Sequence, residues 1–277
     1  MSARVRVQRG DCLRAMQTIA DESIDSVVCD PPYGINYRNK KKSKLQAPIV
    51  NDQRPFVWWM WDAARALKNG GAMVCFCRWD VQEIFRQSIE LAGLVVRSQW
   101  VWDRVRHGMG DCKATLAPRH DVMWFATKGR FAFHGGRPKS IIAAPSVHGA
   151  SRVHPTEKPA SLMRDLVKWV TPRGGTVLDP CMGSGATGEC VRDGYGFVGV
   201  EIDARYFAEA LRRLRAILNL GPVCRIPSMG TKYLGPLGCQ VHVDEDLHGF
   251  GSGTSTSSTR HAAYARASRR SSSSRYG

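Results

Sequence analysis

The chain has 277 residues, of which 43% are hydrophobic, and both values are typical of one large folded domain. Lysine and arginine exceed the acidic residues by 16, an excess that favours a polyanionic partner such as a nucleic acid. The nine cysteines are scattered without paired C-x-x-C spacing, and no apolar run approaches 18 residues. We therefore expect no disulfide framework, no metal site and no membrane span, and we expect a cytoplasmic protein.

Predicted strands and helices alternate over residues 1–220. The predicted strands are 4–8, 26–30, 72–77, 94–102, 122–127, 176–179 and 196–201. The predicted helices are 12–19, one that begins at Pro55 and is ended by Asn69-Gly70-Gly71, 81–91 with Asp80 as its cap, 158–170, one that follows a glycine turn and ends near 193, and 204–217. This alternation predicts an α/β, Rossmann-like doubly wound and mostly parallel sheet.

Residues 34–54 have no usable period, and the alternation also breaks down in three later segments. Residues 103–119 and 129–153 are rich in Gly, Arg and His, and we expect both to be irregular surface segments. From residue 221 onward Gly, Pro, Ser, Thr and Arg dominate. We therefore predict one domain over 1–220 and a low-complexity, disordered tail over 221–277.

The segment that follows the second predicted strand is Asp30-Pro31-Pro32-Tyr33, which we call the clamp segment. Proline has no N–H and a fixed φ, so strand pairing stops at Asp30 and a stiff turn keeps Tyr33 close to it. A rigid carboxylate, a backbone carbonyl and an aromatic face suit a planar ring with an exocyclic amine. Taken alone, the pattern fits a plain Pro-Pro loop equally well.

A run of lysines comes shortly after the clamp segment. Its members are Lys40, Lys41, Lys42 and Lys44. Such a run is usually solvated surface, but its position beside the clamp segment also fits contact with phosphates. Both interpretations stay open.

A glycine-rich turn follows the strand that ends at Asp179. Gly183, Gly185 and Gly188 match the pattern G-x-G-x-x-G, and Glu201 ends the next strand. Glycines let the backbone approach a ligand, and an acid after the next strand suits a ribose diol. Since no Gly-Lys-Ser/Thr follows, a phosphate P-loop is excluded, which leaves a nicotinamide or flavin dinucleotide or S-adenosylmethionine. The negative charge of Asp179 favours S-adenosylmethionine, because it attracts a sulfonium and repels a pyrophosphate.

Four acids fall at predicted strand ends, namely Asp11, Asp30, Asp179 and Glu201. In a doubly wound sheet, ligands bind outside the carboxyl ends of the strands. We therefore expect the clamp segment to face Asp179–Gly185 across one edge of the sheet.

At this point the motifs of residues 1–218 resemble, in order and spacing, those of amino-methylating DNA methyltransferases of the β arrangement, from bacteria or phages. The matching motifs are Gly10-Asp11-Cys12-Leu13, Asp30-Pro31-Pro32-Tyr33-Gly34, Arg119-His120-Asp121, His154-Pro155-Thr156-Glu157-Lys158-Pro159, Asp179-Pro180-Cys181-Met182-Gly183-Ser184-Gly185 and Gly199-Val200-Glu201-Ile202-Asp203. The resemblance implies a methyltransferase fold with circularly permuted motifs and a short target-recognition region at about 104–153. One departure is Cys181, where the family usually has Phe.

The resemblance also implies roles. Asp30, Pro31, Pro32 and Tyr33 would be catalytic in methylating the N6 amino group of an adenine flipped out of double-stranded DNA. Cofactor-binding positions would be Asp11 and Cys12 at the adenine, Glu201 and Ile202 at the ribose, Thr156 and Lys158 at the carboxylate, and Asp179, Cys181, Gly183, Ser184, Gly185 and Thr187 around the methionine end. S-adenosylmethionine would be the methyl donor, and no metal would be needed. From its position beside the clamp segment, we predict that the lysine run Lys40, Lys41, Lys42 and Lys44 binds the DNA.

Three alternatives remain at this stage. Cytosine-N4 methylation is related chemistry, although that activity more often carries Ser at the position of Asp30. A DNA-binding protein with impaired catalysis is suggested by Cys181 and by the unusual tail. A Rossmann dehydrogenase is the third. A cognate restriction endonuclease, and a monomeric or homodimeric state, also stay open.

Overall fold

The computed structural model describes residues 4–35, 49–108, 113–147, 156–220, 231–234 and 240–245. They belong to one compact unit, Met1–Glu245, and the second unit, Asp246–Gly277, lies outside the described residues. The predicted DNA-binding lysines Lys40, Lys41, Lys42 and Lys44 also lie outside them. In the described part of the chain no helix combines the length and apolar character needed to cross a membrane.

Within the described residues, ten strands form a single sheet in the order β6-β4-β5-β3-β2-β7-β8-β1-β10-β9. Their bounds are β1 Arg4–Arg9, β2 Ile24–Cys29, β3 Leu67–Cys77, β4 Val95–Asp103, β5 His120–Thr127, β6 Ile141–Ala143, β7 Thr176–Asp179, β8 Gly196–Glu201, β9 Thr231–Leu234 and β10 Gln240–Glu245. Strand β5 is antiparallel to β3 and β4, β9 is antiparallel to β10, and the other pairs are parallel. The predicted mostly parallel α/β sheet is confirmed.

Helices cover both faces of the sheet. Their bounds are α1 Cys12–Ala15, α2 Met60–Ala66, α3 Gln82–Leu91, α4 Ala160–Val170 and α5 Ala204–Leu218. Successive side chains of a strand point to opposite faces. On β2, Val28 therefore packs in the core that contains α4 and α5, whereas Val27 and Cys29 pack in the core that contains α2 and α3. Burial on both faces explains the continuous apolar run of this strand.

The predicted helix end at Asn69-Gly70-Gly71 was wrong, because α2 ends at Ala66 and these residues belong to β3. Ile24 pairs with Leu67 and Ser26 with Ala72, so the register shifts between them and β3 contains a bulge. Gly70 has a φ of 83°, and a Cβ on Gly71 would lie 2.8 Å from the carbonyl oxygen of Asp25. Glycine is therefore needed at both positions for the backbone to form the bulge.

The helices predicted at 12–19 and before residue 193 differ from the structure in length or in helix type, and Asp80 is not the cap of α3. The α-helix after Asp11 covers only Cys12–Ala15 before it narrows to a 3-10 turn, and the segment Thr187–Asp193 is entirely 3-10. Helix α3 begins at Gln82 with Val81 at its N-cap, because Asp80 pairs with Arg78 instead.

The sheet extends beyond the domain boundary predicted at residue 220. Strand β10 lies in the predicted tail and pairs in parallel with β1 along its whole length, from Arg4 with Gln240 to Arg9 with Glu245. Apolar residues alternate at Val241 and Val243, a period typical of strands that the composition of the tail concealed. The predicted disorder is therefore wrong for 231–234 and 240–245, and the rest of 221–277 lies outside the described residues.

Strands β2 and β7 mark the point where the chain direction across the sheet reverses. They lie side by side in the sheet. The next strand in the chain after β2 is β3, which lies on one side of this pair, and the next strand after β7 is β8, which lies on the other side. In doubly wound sheets such a reversal opens a crevice outside the carboxyl ends of the strands. Asp30 directly follows β2 and Asp179 ends β7, so the fold brings these distant segments to one crevice.

Candidate active site

The clamp segment is a turn held by its own side chains. The Tyr33 hydroxyl donates a hydrogen bond to Oδ1 of Asp30. Burial, together with the nearby charge of Asp30, raises the pKa of Tyr33 well above its usual value, so the phenol keeps the proton that it donates. The Phe85 ring meets the Tyr33 ring edge-on with centroids 6.3 Å apart, and Phe56 N–H donates to the Pro32 carbonyl at 3.1 Å.

Asp52 fixes the end of this turn, and no motif in the sequence marks it. Its Oδ1 accepts the N–H groups of Gly34 and Ile35 at 2.8 and 3.2 Å, and the residue is 2% exposed. Gly34 has a φ of 81°, and a Cβ there would lie 2.4 Å from the carbonyl carbon of Arg54. A single acid in a segment without a period gave no signal of a partner 18 residues away.

Lys158 reaches the clamp segment, although the resemblance assigns it to the carboxylate of a cofactor. Its Nζ lies 2.6 Å from Oδ2 of Asp30 and 3.4 Å from the Tyr33 hydroxyl oxygen, and its side chain is only 5% exposed. Three aromatic rings surround the ammonium. Their centroids lie at 4.9 Å for Phe76, 5.7 Å for Tyr33 and 5.9 Å for Trp102. Phe76 and Trp102 read as ordinary strand residues in the sequence.

Asp179 is buried beneath the glycine turn. Thr187 donates its hydroxyl proton to Oδ2 at 2.6 Å, and the Cys181 N–H donates to Oδ1 at 3.1 Å. Burial raises the pKa of Asp179 to about 7, against the lowering effect of these hydrogen bonds. A cationic ligand group beside Asp179 would therefore stabilise its ionised form.

Glu201 supports the same turn from the next strand. Its two carboxylate oxygens accept the N–H of Gly183 at 2.9 Å and that of Asp203 at 2.7 Å. Burial raises the pKa of Glu201 to about 7. The Ile202 N–H also hydrogen-bonds to this carboxylate. Because a carboxylate can accept about four hydrogen bonds, one acceptor position remains for a ligand hydroxyl.

The Cys12 and Cys181 side chains line the cavity, and Cys181 stands where the family usually has Phe. Cys29 lies behind them in the core. Cys181 hydrogen-bonds with Cys12 and with Cys29. The contact with Cys181 and burial raise the pKa of Cys12 well above its usual value, and burial does the same for Cys29. These thiols are therefore protonated at neutral pH, and this wall is uncharged. Among the described residues, no group of three His, Cys, Asp or Glu side chains is arranged to hold a metal ion.

One cavity joins the clamp segment to the glycine turn. The cavity is open to solvent at its mouth. Of the predicted catalytic and cofactor-binding residues, all but Gly185 line it: Asp11, Cys12, Asp30, Pro31, Pro32, Tyr33, Thr156, Lys158, Asp179, Cys181, Gly183, Ser184, Thr187, Glu201 and Ile202. Gly185 instead lets the turn approach α5, where a Cβ would meet Ala210 at 3.0 Å.

The donor set fits a cofactor with a ribose, a cation and a carboxylate. Glu201 offers acceptors for a diol, Asp179 offers an anionic partner, and Lys158 offers a cation in the same cavity. Residues 24–212 match the family model described as DNA methylase, the N6/N4 methylases. The chain belongs to this family.

Individual DNA methylases are similar over most of the chain. The Escherichia coli (strain K12) protein YubD, which carries the name of a methylase, is 29% identical over 223 residues, or 76% of this chain and 91% of YubD. The type II methyltransferase M.HinfI of Haemophilus influenzae is 24% identical and covers 76% of this chain and 68% of its own length. The recognised family and the resemblance found in the sequence therefore agree.

Solved structures share the fold. The M1.HpyAVI–SAM complex superposes with a TM-score of 0.61 at 23% identity, over 76% of this chain and 98% of that one. The cytosine-N4-specific PvuII DNA methyltransferase gives 0.60 at 15% identity, over 79% and 93% of the two chains. At these identities the match establishes the fold, which is that of DNA methyltransferases.

Proposed function

We propose that this DNA methylase transfers a methyl group from S-adenosylmethionine to the N6 amino group of adenine in double-stranded DNA. The observation that carries the proposal is that the Asp30 carboxylate and the Asp179–Glu201 pair line one cavity at the reversal point of the sheet. One side of this cavity suits an exocyclic amine, and the other suits a cationic nucleoside. The DNA partner and a cytoplasmic location belong to the same proposal.

Activation of the amino group is the role that we assign to the clamp segment. The lone pair of an adenine amino nitrogen is conjugated with its ring, so the nitrogen is a poor nucleophile. Asp30 and a proline carbonyl accept the two amino hydrogens and favour a pyramidal nitrogen. The Pro32 carbonyl already accepts the Phe56 N–H, so we assign the second acceptor to Pro31. Positioning of this kind supplies much of the rate enhancement.

S-adenosylmethionine supplies a methyl group that its positively charged sulfur readily releases. As the bond from this methyl to N6 forms, the sulfur–methyl bond breaks, and N6 loses one proton toward Asp30. The Asp179 carboxylate stabilises the positive end of the bound donor, and Thr187 fixes that carboxylate by its 2.6 Å hydrogen bond. Asp11 and Cys12 hold the donor adenine, Glu201 and Ile202 its ribose, and Thr156, Ser184 and the glycine turn its methionine part.

The target base must leave the duplex to reach this cavity, because its amino group is otherwise stacked and paired. Tyr33 offers the face on which it stacks, and Phe85 fixes the Tyr33 ring from its edge. We assign the positive charge needed to hold the phosphates to the lysine run and to the segment 104–153. In that segment Arg119 pairs with Asp103, which ties the end of β4 to the start of β5.

Methyl transfer from labelled S-adenosylmethionine to unmethylated DNA tests this function. After transfer, the DNA is digested to nucleosides, and we expect N6-methyladenine with the native protein and none with Asp30→Ala. Finding N4-methylcytosine alone would refute the adenine assignment within the same family. DNA binding without any methyl transfer would instead favour the catalytically impaired DNA-binding protein. Modification-sensitive sequencing of the product then gives the methylated site.

A further inference from the structure

Lys158 lies between the two halves of the cavity. Its backbone follows Thr156, on the side assigned to the cofactor, and its ammonium reaches Asp30 in the clamp segment. The backbone is anchored, because Glu157 forms an ion pair with Arg213 of α5 and the Pro159 carbonyl accepts the Met163 N–H at 3.1 Å. The ammonium itself is held only through a flexible four-carbon stem. A change of partner therefore needs rotation of one side chain.

The position of the ammonium conflicts with methyl transfer. A target amino group needs the Asp30 carboxylate, and Lys158 donates to Oδ2 of that carboxylate at 2.6 Å. The ammonium also fills the space between the rings of Tyr33, Phe76 and Trp102. Positive charge develops on the amino nitrogen as it accepts a methyl group, and a neighbouring ammonium repels that charge. The lysine therefore has to withdraw before the base can react.

A second anionic partner is available within the same cavity when the donor is bound. The amino-acid end of S-adenosylmethionine carries a carboxylate, and Thr156 and Lys158 line the cavity beside the glycine turn. We infer that Lys158 is a positioning residue that exchanges between two carboxylates, that of Asp30 and that of the bound cofactor, so that cofactor binding opens the clamp segment to the target base. This inference rests on the proposed function.

Competition for one ammonium has a consequence that can be measured without DNA. If Asp30 and the cofactor carboxylate compete for Lys158, removing the charge of Asp30 strengthens cofactor binding. If Asp30 instead attracted the positive cofactor directly, removing its charge would weaken cofactor binding. Because coupling between two sites is reciprocal, the effect must disappear when Lys158 is removed.

Calorimetric titration with S-adenosylhomocysteine tests the exchange, because this product keeps the carboxylate and lacks the positive sulfur. The proteins are the native chain, Asp30→Asn, Lys158→Met and the double variant, each checked for a native circular dichroism spectrum. We expect Asp30→Asn to bind about five- to tenfold more tightly than the native chain, a coupling of ordinary size. Lys158→Met should bind more weakly, and adding Asp30→Asn to it should change nothing.

Two controls isolate the contact. The probe 5′-methylthioadenosine has no amino-acid part, and its affinity should be equal for the native chain and Asp30→Asn. Lys68→Met removes a lysine that pairs with Asp25 at 2.7 Å near the opposite end of β2, and it should bind S-adenosylhomocysteine like the native chain.

Each other outcome overturns the exchange. Unchanged or weaker binding by Asp30→Asn would mean that Asp30 does not compete for Lys158. Tightening that persists in Lys158→Met, or with 5′-methylthioadenosine, would mean that Lys158 is not the link. If the native chain binds S-adenosylhomocysteine and methylates DNA, but Asp30→Asn binds this probe no more tightly, the exchange is refuted and the proposed function is not. A native chain that neither binds this probe nor methylates DNA refutes the proposed function with it.

Discussion

Strand β2 carries an aspartate–lysine pair near each end, and the two pairs differ in their surroundings. At the amino end, the Asp25 carboxylate accepts a hydrogen bond from Nζ of Lys68 at 2.7 Å and another from the backbone N–H of Thr176 at 2.8 Å. The Lys68 side chain is 44% exposed. At the carboxyl end, the Asp30 carboxylate accepts hydrogen bonds from the Lys158 ammonium and the Tyr33 hydroxyl. Lys158 is buried among aromatic rings. One pair ties two strands together, whereas the other connects only side chains that can rotate.

The kind of partner separates structural acids from the acid that we assign to catalysis. Among the described residues, five of the six other acids of the cavity accept at least one backbone N–H: Asp11 from Leu13, Asp52 from Gly34, Asp179 from Cys181, Glu201 from Gly183 and Asp203 from Arg205. The sixth, Glu157, forms an ion pair with Arg213 of α5. A carboxylate that satisfies a backbone donor cannot move away without breaking that hydrogen bond and loosening the turn that it holds. Asp30 is held by two side chains, so its carboxylate can change partners at lower cost.

The largest effect is expected at the carboxyl end of β2. Asp30→Ala removes the acceptor of the amino hydrogens, and we expect methyl transfer to fall by about 10³-fold or more. The cofactor should still bind, more tightly than in the native chain because Asp30 no longer competes for Lys158, and the far-ultraviolet circular dichroism spectrum should be unchanged. The measurement is transfer of labelled methyl groups to DNA under single-turnover conditions.

Asp25→Asn is the matched control at the amino end of the same strand. It weakens the contacts with Lys68 and Thr176, and we expect a loss of about 1–3 kcal/mol in the free energy of unfolding. Its rate of methyl transfer, measured below the melting transition, should match that of the native chain. If Asp25→Asn lost as much transfer as Asp30→Ala, the distinction between the two ends of β2 would be wrong.

The second effect concerns the turn that presents Asp30. Gly34→Ala places a Cβ 2.4 Å from the carbonyl carbon of Arg54 at a φ of 81°, so the turn must move. We expect methyl transfer to fall about 10²-fold, since small displacements of a reacting group are costly. Gly93→Ala is the control, because Gly93 also has a positive φ but its Cβ would meet nothing within 4 Å. Equal losses in both variants would show that general strain, not the turn, is responsible.

The chemistry-bearing segments were predictable because each has a local pattern. The buried run before Asp30 and the glycine turn after Asp179 mark strand ends, and a mostly parallel sheet brings strand ends to one edge. What the pattern could not give depends on long-range contacts. Asp52 is recognised only by the backbone that it caps, and the bulge at Gly70-Gly71 only by its register against β2.

Partners of side chains were the other part that the sequence could not supply. Motif order assigned Lys158 to a cofactor carboxylate, while folding places its ammonium on Asp30 at 2.6 Å. Strand β10 was hidden for a related reason, because six residues with a period of two lie within a segment of low complexity. Composition averaged over the tail predicted disorder, whereas pairing with β1 depends only on those six residues.

The lysine run gives a third and smaller effect. Replacing Lys40, Lys41 and Lys42 with Ala should weaken DNA binding about tenfold near physiological salt. Each lost phosphate contact reduces the slope of log affinity against log salt by about 0.9, so a loss of about 2 to 3 is expected. The measurement is a fluorescence anisotropy titration at several salt concentrations, with Lys68→Ala as the control. An unchanged slope would mean that these lysines are ordinary solvated surface.

The smallest effect concerns Asp179 and is expected in the pH dependence of cofactor binding. Burial raises the pKa of Asp179 to about 7, so this carboxyl takes up a proton as the pH falls from 8 to 6. The loss of charge weakens the attraction to the positive sulfur of S-adenosylmethionine, which S-adenosylhomocysteine lacks. We therefore expect the ratio of the two affinities to shift severalfold toward S-adenosylhomocysteine over this pH range.

Asp179→Asn separates this titration from every other group in the cavity. It removes the carboxyl that gains the proton while the amide can still accept the Thr187 hydroxyl. The affinity ratio should then be independent of pH between 6 and 8, at a value near that of the native chain at the lower pH. A native ratio that does not change with pH would mean that Asp179 is not the partner of the positive sulfur. A ratio that still changes in Asp179→Asn would transfer the role to Glu201, whose pKa burial also raises to about 7.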